Sequence, residues 1–344
     1  MKRISIALSI VLVLALASFG VGAWQVHRFM VTELSVPANG VGFEIPSGSS
    51  FSAVARQLVD KDIIDNDRLL RLYARWSGAA SAIQAGDYLI KPGATPESLM
   101  QQFISGAVRL YSFTIIEGWN SRDLLAALHA TDAVSASMTD EDWPGLLSDL
   151  GADLVHPEGL FLPETYRFPR NTTDRDLLAQ AYTLMQSVLA EEWAARDEAA
   201  PAKTPYEALI LASIVEKETA RADERQRIAG VFARRLEQRM RLQTDPTVIY
   251  GLGPQFNGNL TRRDLRTDTP YNTYTRSGLP PTPIAMPGRA AINAALNPAP
   301  GKELYFVATG LGDGSHSFST TKAEHDAAVA TYLRRLRQQR KQGR

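Results

Sequence analysis

The chain has 344 residues, with 37 Lys plus Arg set against 37 Asp plus Glu, 44% hydrophobic residues and no cysteine. This is long enough for two domains and an anchor, and it is folded in character. The charge balance gives no basic field for nucleic acid, and the missing cysteines exclude disulfides, thiolate catalysis and cysteine-based metal sites. At the N-terminus, Lys2 and Arg3 precede an uncharged run from Ile4 to Trp24. A bilayer core needs about 20 apolar residues, more than the h-region of a cleavable signal. The run predicts a retained transmembrane helix over 4–24, with residues 1–3 in the cytoplasm by the positive-inside rule and the rest of the chain on the far side. Cleavage after the small residues between Gly20 and Ala23 is the alternative.

Residues 43–130 contain an internal repeat. Phe43, Ile45, Gly48 and Leu58 recur at one offset as Phe113, Ile115, Gly118 and Leu128. Each copy reads as a strand, a glycine turn and a helix capped by Ser or Asn. Between the copies, residues 85–92 (AGDYLIKP) predict a strand, and Pro96 opens another helix. The first copy resembles a LysM-like module, a strand–helix–helix–strand fold that binds N-acetylglucosamine polymers; a scaffold without a ligand stays open beside that reading. Residues 135–154 are polar and acidic and predict a connection or a short helix.

The second domain opens at residues 158–166, EGLFLPETY, where Glu158 and Glu164 stand among apolar and aromatic residues. Thr173 and Asp176 cap a helix running to Trp193. The stretch ALILASIVEKETA, residues 208–220, is the centre of the chain. Its first eight residues are apolar or small, so as a helix they lie inside a core. At about 100° per residue, Glu218 falls beside Leu211, Ile214 and Val215, Glu216 falls on the opposite face, and Lys217 points away from both. Burial and the negative end of a helix dipole both raise a carboxyl pKa. Glu218 is therefore a candidate general acid; a solvated helix end with surface ion pairs is the other reading of the same spacing.

A second helix over 223–240 carries an apolar stripe of Ile228, Val231, Phe232, Leu236 and Met240, with arginines covering the rest. A polar turn containing Gln243 and Asp245 follows. Residues 271–288 form a long loop with four prolines, Tyr271, Asn272 and Tyr274, a composition that suits sugar binding. Residues 304–309 and 316–319 predict a hairpin, and Thr321 with Glu324 predicts a capping box for the last helix. That box accounts for the Ser319-Thr-Thr-Lys322 pattern, which otherwise imitates a penicillin-binding enzyme; no Lys-Thr-Gly accompanies it. The glycine run at 310–314 sits inside a hairpin and is no phosphate loop. The five histidines show no His-Glu-x-x-His spacing, so neither a metal nor another cofactor is expected.

In order and spacing, EGLFLPETY, ASIVEKETA (212–220), MRLQTDPTVIYG (240–251), YNTY (271–274), GLPP (278–281) and HSF (316–318) resemble the YceG-like family of endolytic murein transglycosylases. The resemblance covers nearly the whole chain. It implies a peptidoglycan lyase that acts on nascent glycan strands from the inner membrane, with its catalytic domain in the periplasm and peptidoglycan synthases as partners. It implies Glu218 as the catalytic residue. Glu164 departs from an Asp commoner at that place, with the carboxylate kept. The expected architecture is α+β: a transmembrane helix, a LysM-like domain over 31–134 and a YceG-like catalytic domain over 150–338. Glu164, Gln243, Asp245, Tyr271, Asn272, Tyr274 and His316 are the expected substrate-binding residues. A non-catalytic cell-wall scaffold is the alternative from another class. A hydrolytic muramidase using Glu158 or Glu164 as second carboxylate is the alternative within the enzymes.

Overall fold

The structure, a computed structural model, describes residues 2–153 and 156–342. Met1 of the expected cytoplasmic segment, and Leu154 and Val155 of the expected connection, lie outside the described residues. The chain divides into two compact units, one of residues 1–111 with 167–171, the other of 112–166 with 172–344.

The first unit begins with helix α1 (Lys2–Val31), which contains the one described segment long and apolar enough to cross a membrane, Leu8–Val31. Strand β1 (Val41–Ile45), helices α2 (Phe51–Asp60) and α3 (Asp67–Ser77) and strand β2 (Gly86–Ile90) follow, then α4 (Pro96–Ser105). The two strands pair antiparallel with Phe43 opposite Tyr88. Strand period places Phe43 and Ile45 inward and Glu44 outward. Phe43 stacks on Phe103 at 5.7 Å between ring centroids, and Tyr88 meets Phe103 edge-on at 4.8 Å. The buried Tyr88 hydroxyl is satisfied by donating to the Gln84 carbonyl at 2.7 Å. The caps come from local chemistry. Ser50, Asn66 and Thr95 accept from the first-turn amides of α2, α3 and α4. The apolar helix outlasts its expected end at Trp24, because Met30 is buried in this core and Val26 and Phe29 pack on it. Removing the chain up to Val31 would therefore take a core residue along with the apolar segment.

The first unit closes at Tyr111, inside strand β3 (Leu110–Thr114), and not at 134 as expected. The second copy of the repeat belongs to the second unit because its backbone is bonded there. The Ile115 amide donates to Glu164 O at 3.0 Å and the Gly118 amide to Met286 O at 2.9 Å. Its helix is α5 (Ser121–His129), capped by Asn120. Short pieces follow: β4 (Val134–Ser135), α6 (Trp143–Asp149), β5 (Thr165–Pro169), which pairs with β3, and β6 (Thr172–Thr173), which pairs with β4.

The rest of this unit is mostly helical: α7 (Asp174–Ala194), α8 (Pro205–Glu218), α9 (Arg225–Glu237), α10 (Asp245–Leu252) and α11 (Arg289–Leu296). Helix α8 is its axis. Every residue from Ala208 to Val215 is buried, and α7, α9, α10 and α11 all pack against it. Its one buried hydroxyl is paired, with Ser213 Oγ donating to Ile210 O and accepting the Ile284 amide at 2.9 Å. The arginines of α9 do not simply cover its outside. Arg235 is buried, and its guanidinium donates to the carbonyls of Leu304, Arg241 and Leu242. Strands β7 (Tyr305–Ala308) and β8 (His316–Ser319) form the expected antiparallel hairpin, and α12 (Lys322–Gln342) packs on it.

Candidate active site

Glu218 is the last residue of α8. Thr219 leaves the helix in extended conformation, with φ −149° and ψ 136°. The three charges of Glu-Lys-Glu then go three ways, as the helical period predicts. Glu216 accepts the Gly288 amide at 3.0 Å, at the N-terminus of α11, and stands 3.5 Å from Arg225. Lys217 donates to the Gly118 carbonyl at 3.0 Å. Glu218, half-buried, turns into a cavity of about 540 Å³ that Gln243, Asp245, Tyr274 and His316 also line.

Burial raises the Glu218 pKa to about 7, and the negative charge of Asp245 acts in the same direction. The Thr244 hydroxyl, which donates to Glu218 Oε1, and the charges of His316 and Arg235 pull the other way without overcoming burial. Thr244 is itself fixed, since its amide donates to Thr273 Oγ1 at 3.1 Å and Thr273 bonds Thr247 in turn. The carboxyl thus titrates near neutral pH, faces open space, and carries a donor that stabilises it once the proton has left.

His316 is held by a buried carboxylate. Glu224 accepts the His316 amide at 3.0 Å and lies 2.7 Å from Nδ1. Nδ1 therefore carries the hydrogen, and Nε2 is the ring nitrogen that Glu224 leaves unengaged. Tyr274 donates its hydroxyl to Asp245 Oδ1 at 2.5 Å, which turns that carboxylate toward the tyrosine at the mouth of α10. Gln243 reaches the same cavity from a left-handed backbone position, with φ 52°.

Three of the expected substrate-binding residues are not in this lining. Asn272 is completely buried, and its amide group ties the loop to itself through Asp264 O, Thr267 O and the Tyr274 amide. Its role is to hold Tyr274 in place. Tyr271 bonds Thr282 at 2.9 Å and packs edge-on against Tyr250. Glu164 is exposed just before β5 and accepts the Thr165 amide. Conversely, Thr244, Glu224, Arg235 and Tyr305 line the cavity or support its lining, and no sequence pattern singled out Glu224, Arg235 or Tyr305. Thr244 alone had a signal, since it sits between the two polar residues chosen from its turn.

Glu158 forms a separate centre. It is 1% exposed, accepts from Tyr250 Oη at 2.8 Å and from the Ser121 amide at 3.1 Å, and burial raises its pKa to about 7. It lines a different cavity, with Arg122, Trp143 and His156. Among the described residues no group of three or more His, Asp or Glu side chains could hold a metal ion.

Comparison with known proteins supplies the lineage. A Bacillus subtilis protein named endolytic murein transglycosylase is 33% identical over 311 residues, covering 85% of each chain. A protein of the same name from Streptococcus pneumoniae is 27% identical, covering 95% of this chain and 65% of its own. The crystal structure of a yceG-like protein from Listeria monocytogenes superposes with a TM-score of 0.52 at 28% identity, covering 85% of this chain and 99% of that one. The sequence pattern of the YceG-like family matches residues 43–331, Glu218 included, and the chain belongs to that family.

Proposed function

We propose that the protein is an endolytic lytic transglycosylase that cleaves the bond between N-acetylmuramic acid and N-acetylglucosamine inside nascent peptidoglycan strands. The observation that carries this is Glu218, a carboxyl at the end of an apolar helix whose pKa burial raises to about 7 and which faces an open, polar-lined cavity. The acid gives its proton to the glycosidic oxygen as the bond to the muramic C1 breaks. Positive charge develops at C1, and the negative Asp245 in the same cavity stabilises it. The Glu218 carboxylate, steadied by the Thr244 hydroxyl, then takes the proton of the muramic C6 hydroxyl, whose oxygen closes on C1. The product is a 1,6-anhydro end, no water is consumed, and Glu218 is returned to its acid form.

One carboxyl suffices for this sequence, whereas hydrolysis uses two that flank the bond. Glu158 and Glu164 stand outside the Glu218 cavity, so the hydrolytic alternative would rest on Asp245. Product mass tests the reading: anhydro ends lack the water that a muramidase adds, and hydrated ends from purified protein and glycan strands would overturn it. Binding without new chain ends would favour the scaffold.

Helix α1 is a retained single-pass anchor in the inner membrane, with Lys2 and Arg3 cytoplasmic and both units in the periplasm. The strand–helix–helix–strand unit acts as a LysM-like glycan holder. Cutting close to the membrane ends the growth of strands delivered by peptidoglycan synthases. Membrane fractionation tests the anchor, with a processed, soluble periplasmic protein as the contrary result.

A further inference from the structure

Helix α3 presents two faces of opposite character. Leu70 and Ala74 are buried in the core of the first unit. Arg68, Leu72, Arg75 and Trp76, spaced along the opposite side, are exposed, and Trp76 is 85% exposed. Such an apolar, aromatic stripe flanked by arginines is costly in water and is the composition of a helix lying in a bilayer interface. The stripe does not stand alone. It borders an apolar cavity of about 630 Å³ whose other wall is α1, through Phe19, Gly22 and Ala23, with Glu97 also on its lining. Gly22 and Ala23, lacking bulk, leave this space open.

The level of the cavity along α1 identifies its occupant. On α1 the lining runs from Phe19, five residues before Trp24 and about 7.5 Å deeper along the helix at 1.5 Å per residue, out to Val26, His27 and Met30 beyond Trp24, so the cavity straddles the Trp24 level. Trp24, with the Arg28 guanidinium 5.4 Å from its ring, has the character of a residue at the headgroup level. The inner end of the α1 wall, Phe19 to Ala23, is therefore continuous with the surface that faces hydrocarbon, and its outer end reaches the headgroup level beside Leu72 and Trp76.

We propose that the α1–α3 groove seats the first unit on the bilayer: a lipid acyl chain fills the groove, Leu72 and Trp76 enter the interface, and Arg68 and Arg75 meet anionic headgroups. The proposal rests on the reading of α1 as a retained anchor. The seat holds the first unit against the bilayer surface and does not leave it free to swing on its anchor. Because the chain has no cysteine, single spin labels can be placed in the full-length protein without removing native thiols. Leu72→Cys, Val13→Cys in α1 and Ser52→Cys on α2 are labelled in nanodiscs of phosphatidylglycerol and phosphatidylcholine. Relaxation by oxygen, which partitions into lipid, is compared with relaxation by a water-soluble nickel chelate. The labels at 13 and 72 are expected to favour oxygen, and the label at 52 to favour nickel. Adding Arg68→Glu, Arg75→Glu and Trp76→Ser should lower the oxygen-to-nickel ratio at 72 several-fold and leave that at 13 unchanged. A water-like label at 72 beside a lipid-embedded label at 13 overturns the seat and leaves the anchor standing. Water-like labels at both positions overturn the anchor and the seat together.

Discussion

Glu218 and Glu158 are two carboxyls of the second unit, and burial raises each to about 7. The resemblance ends there. Glu158 is 1% exposed and its oxygens are taken up by Tyr250 and Ser121. It ties the start of α5 to the end of α10, and the following glycine, at φ 79°, packs so closely on Pro283 that a Cβ would lie 2.5 Å from that ring. Glu218 accepts the Thr244 hydroxyl on one oxygen and faces a cavity large enough for sugar rings. A perturbed pKa therefore marks burial. Both acids line a cavity, so whether a buried acid works on a substrate or braces the fold depends on which of its oxygens are already committed.

The strongest test of the contrast is Glu218→Gln, which keeps the shape and removes the proton. Strand cleavage should fall by about 10²- to 10⁴-fold, the usual contribution of an acid–base group, with the thermal midpoint little changed. A variant keeping more than a tenth of the rate would move the chemistry elsewhere. Glu158→Ala should behave in the opposite way. It strands the Tyr250 hydroxyl and the Ser121 amide, at about 1–3 kcal/mol for each buried group left unpaired, and should lower the denaturant midpoint markedly while the folded fraction keeps its turnover.

The pH response separates the two acids again. A carboxyl raised from its unfolded value near 4.5 to about 7 binds its proton more tightly in the folded state. Its stabilising contribution is whole below about 4.5 and is lost as pH rises to about 7, at up to about 1.4 kcal/mol per pH unit for each group. Urea titrations from pH 4.5 to 7 should show falling stability, with a shallower slope in Glu218→Gln and in Glu158→Gln. In the proposed reaction only the Glu218 proton is used in turnover, so kcat/KM should fall as pH passes about 7 in the wild type and in Glu158→Gln alike. The smallest effect is expected from Glu224→Gln. It leaves Glu218 in place and loosens the His316 ring, so a rate loss of about 10-fold is expected, within the range for misplaced groups, with the pH limb near 7 retained. Loss of that limb would show that His316, not Glu218, sets it.

What could be read from the chain was local. Period and caps located the apolar helix that ends at Glu218, the separation of Glu216 from Glu218 and the β7–β8 hairpin, because each depends on residues a few positions apart. They also revealed the internal repeat, but not that its copies fall in different compact units. That division follows from hydrogen bonds such as Gly118 to Met286, which join positions far apart in the chain. The site divides in the same way. Glu218 stood out by helical period, Gln243, Asp245, Tyr274 and His316 by residue type beside turns or in a loop, and the fold brings them to one cavity. Asn272 and Tyr271 carry the same local signature, yet their polar groups are spent inside the protein. A polar side chain next to a turn can serve a ligand or the backbone, and only the surrounding packing chooses. Thr244 on Glu218, 26 residues away, and Glu224 on His316, 92 residues away, are invisible to any period or cap. By itself the sequence determined which acid ends a buried helix. Tertiary structure decided that Tyr250 and Ser121 occupy both oxygens of Glu158 where it meets its cavity, while Glu218 meets its own with Thr244 on one oxygen, because bond occupancy and open volume belong to elements meeting in three dimensions and not to any one of them.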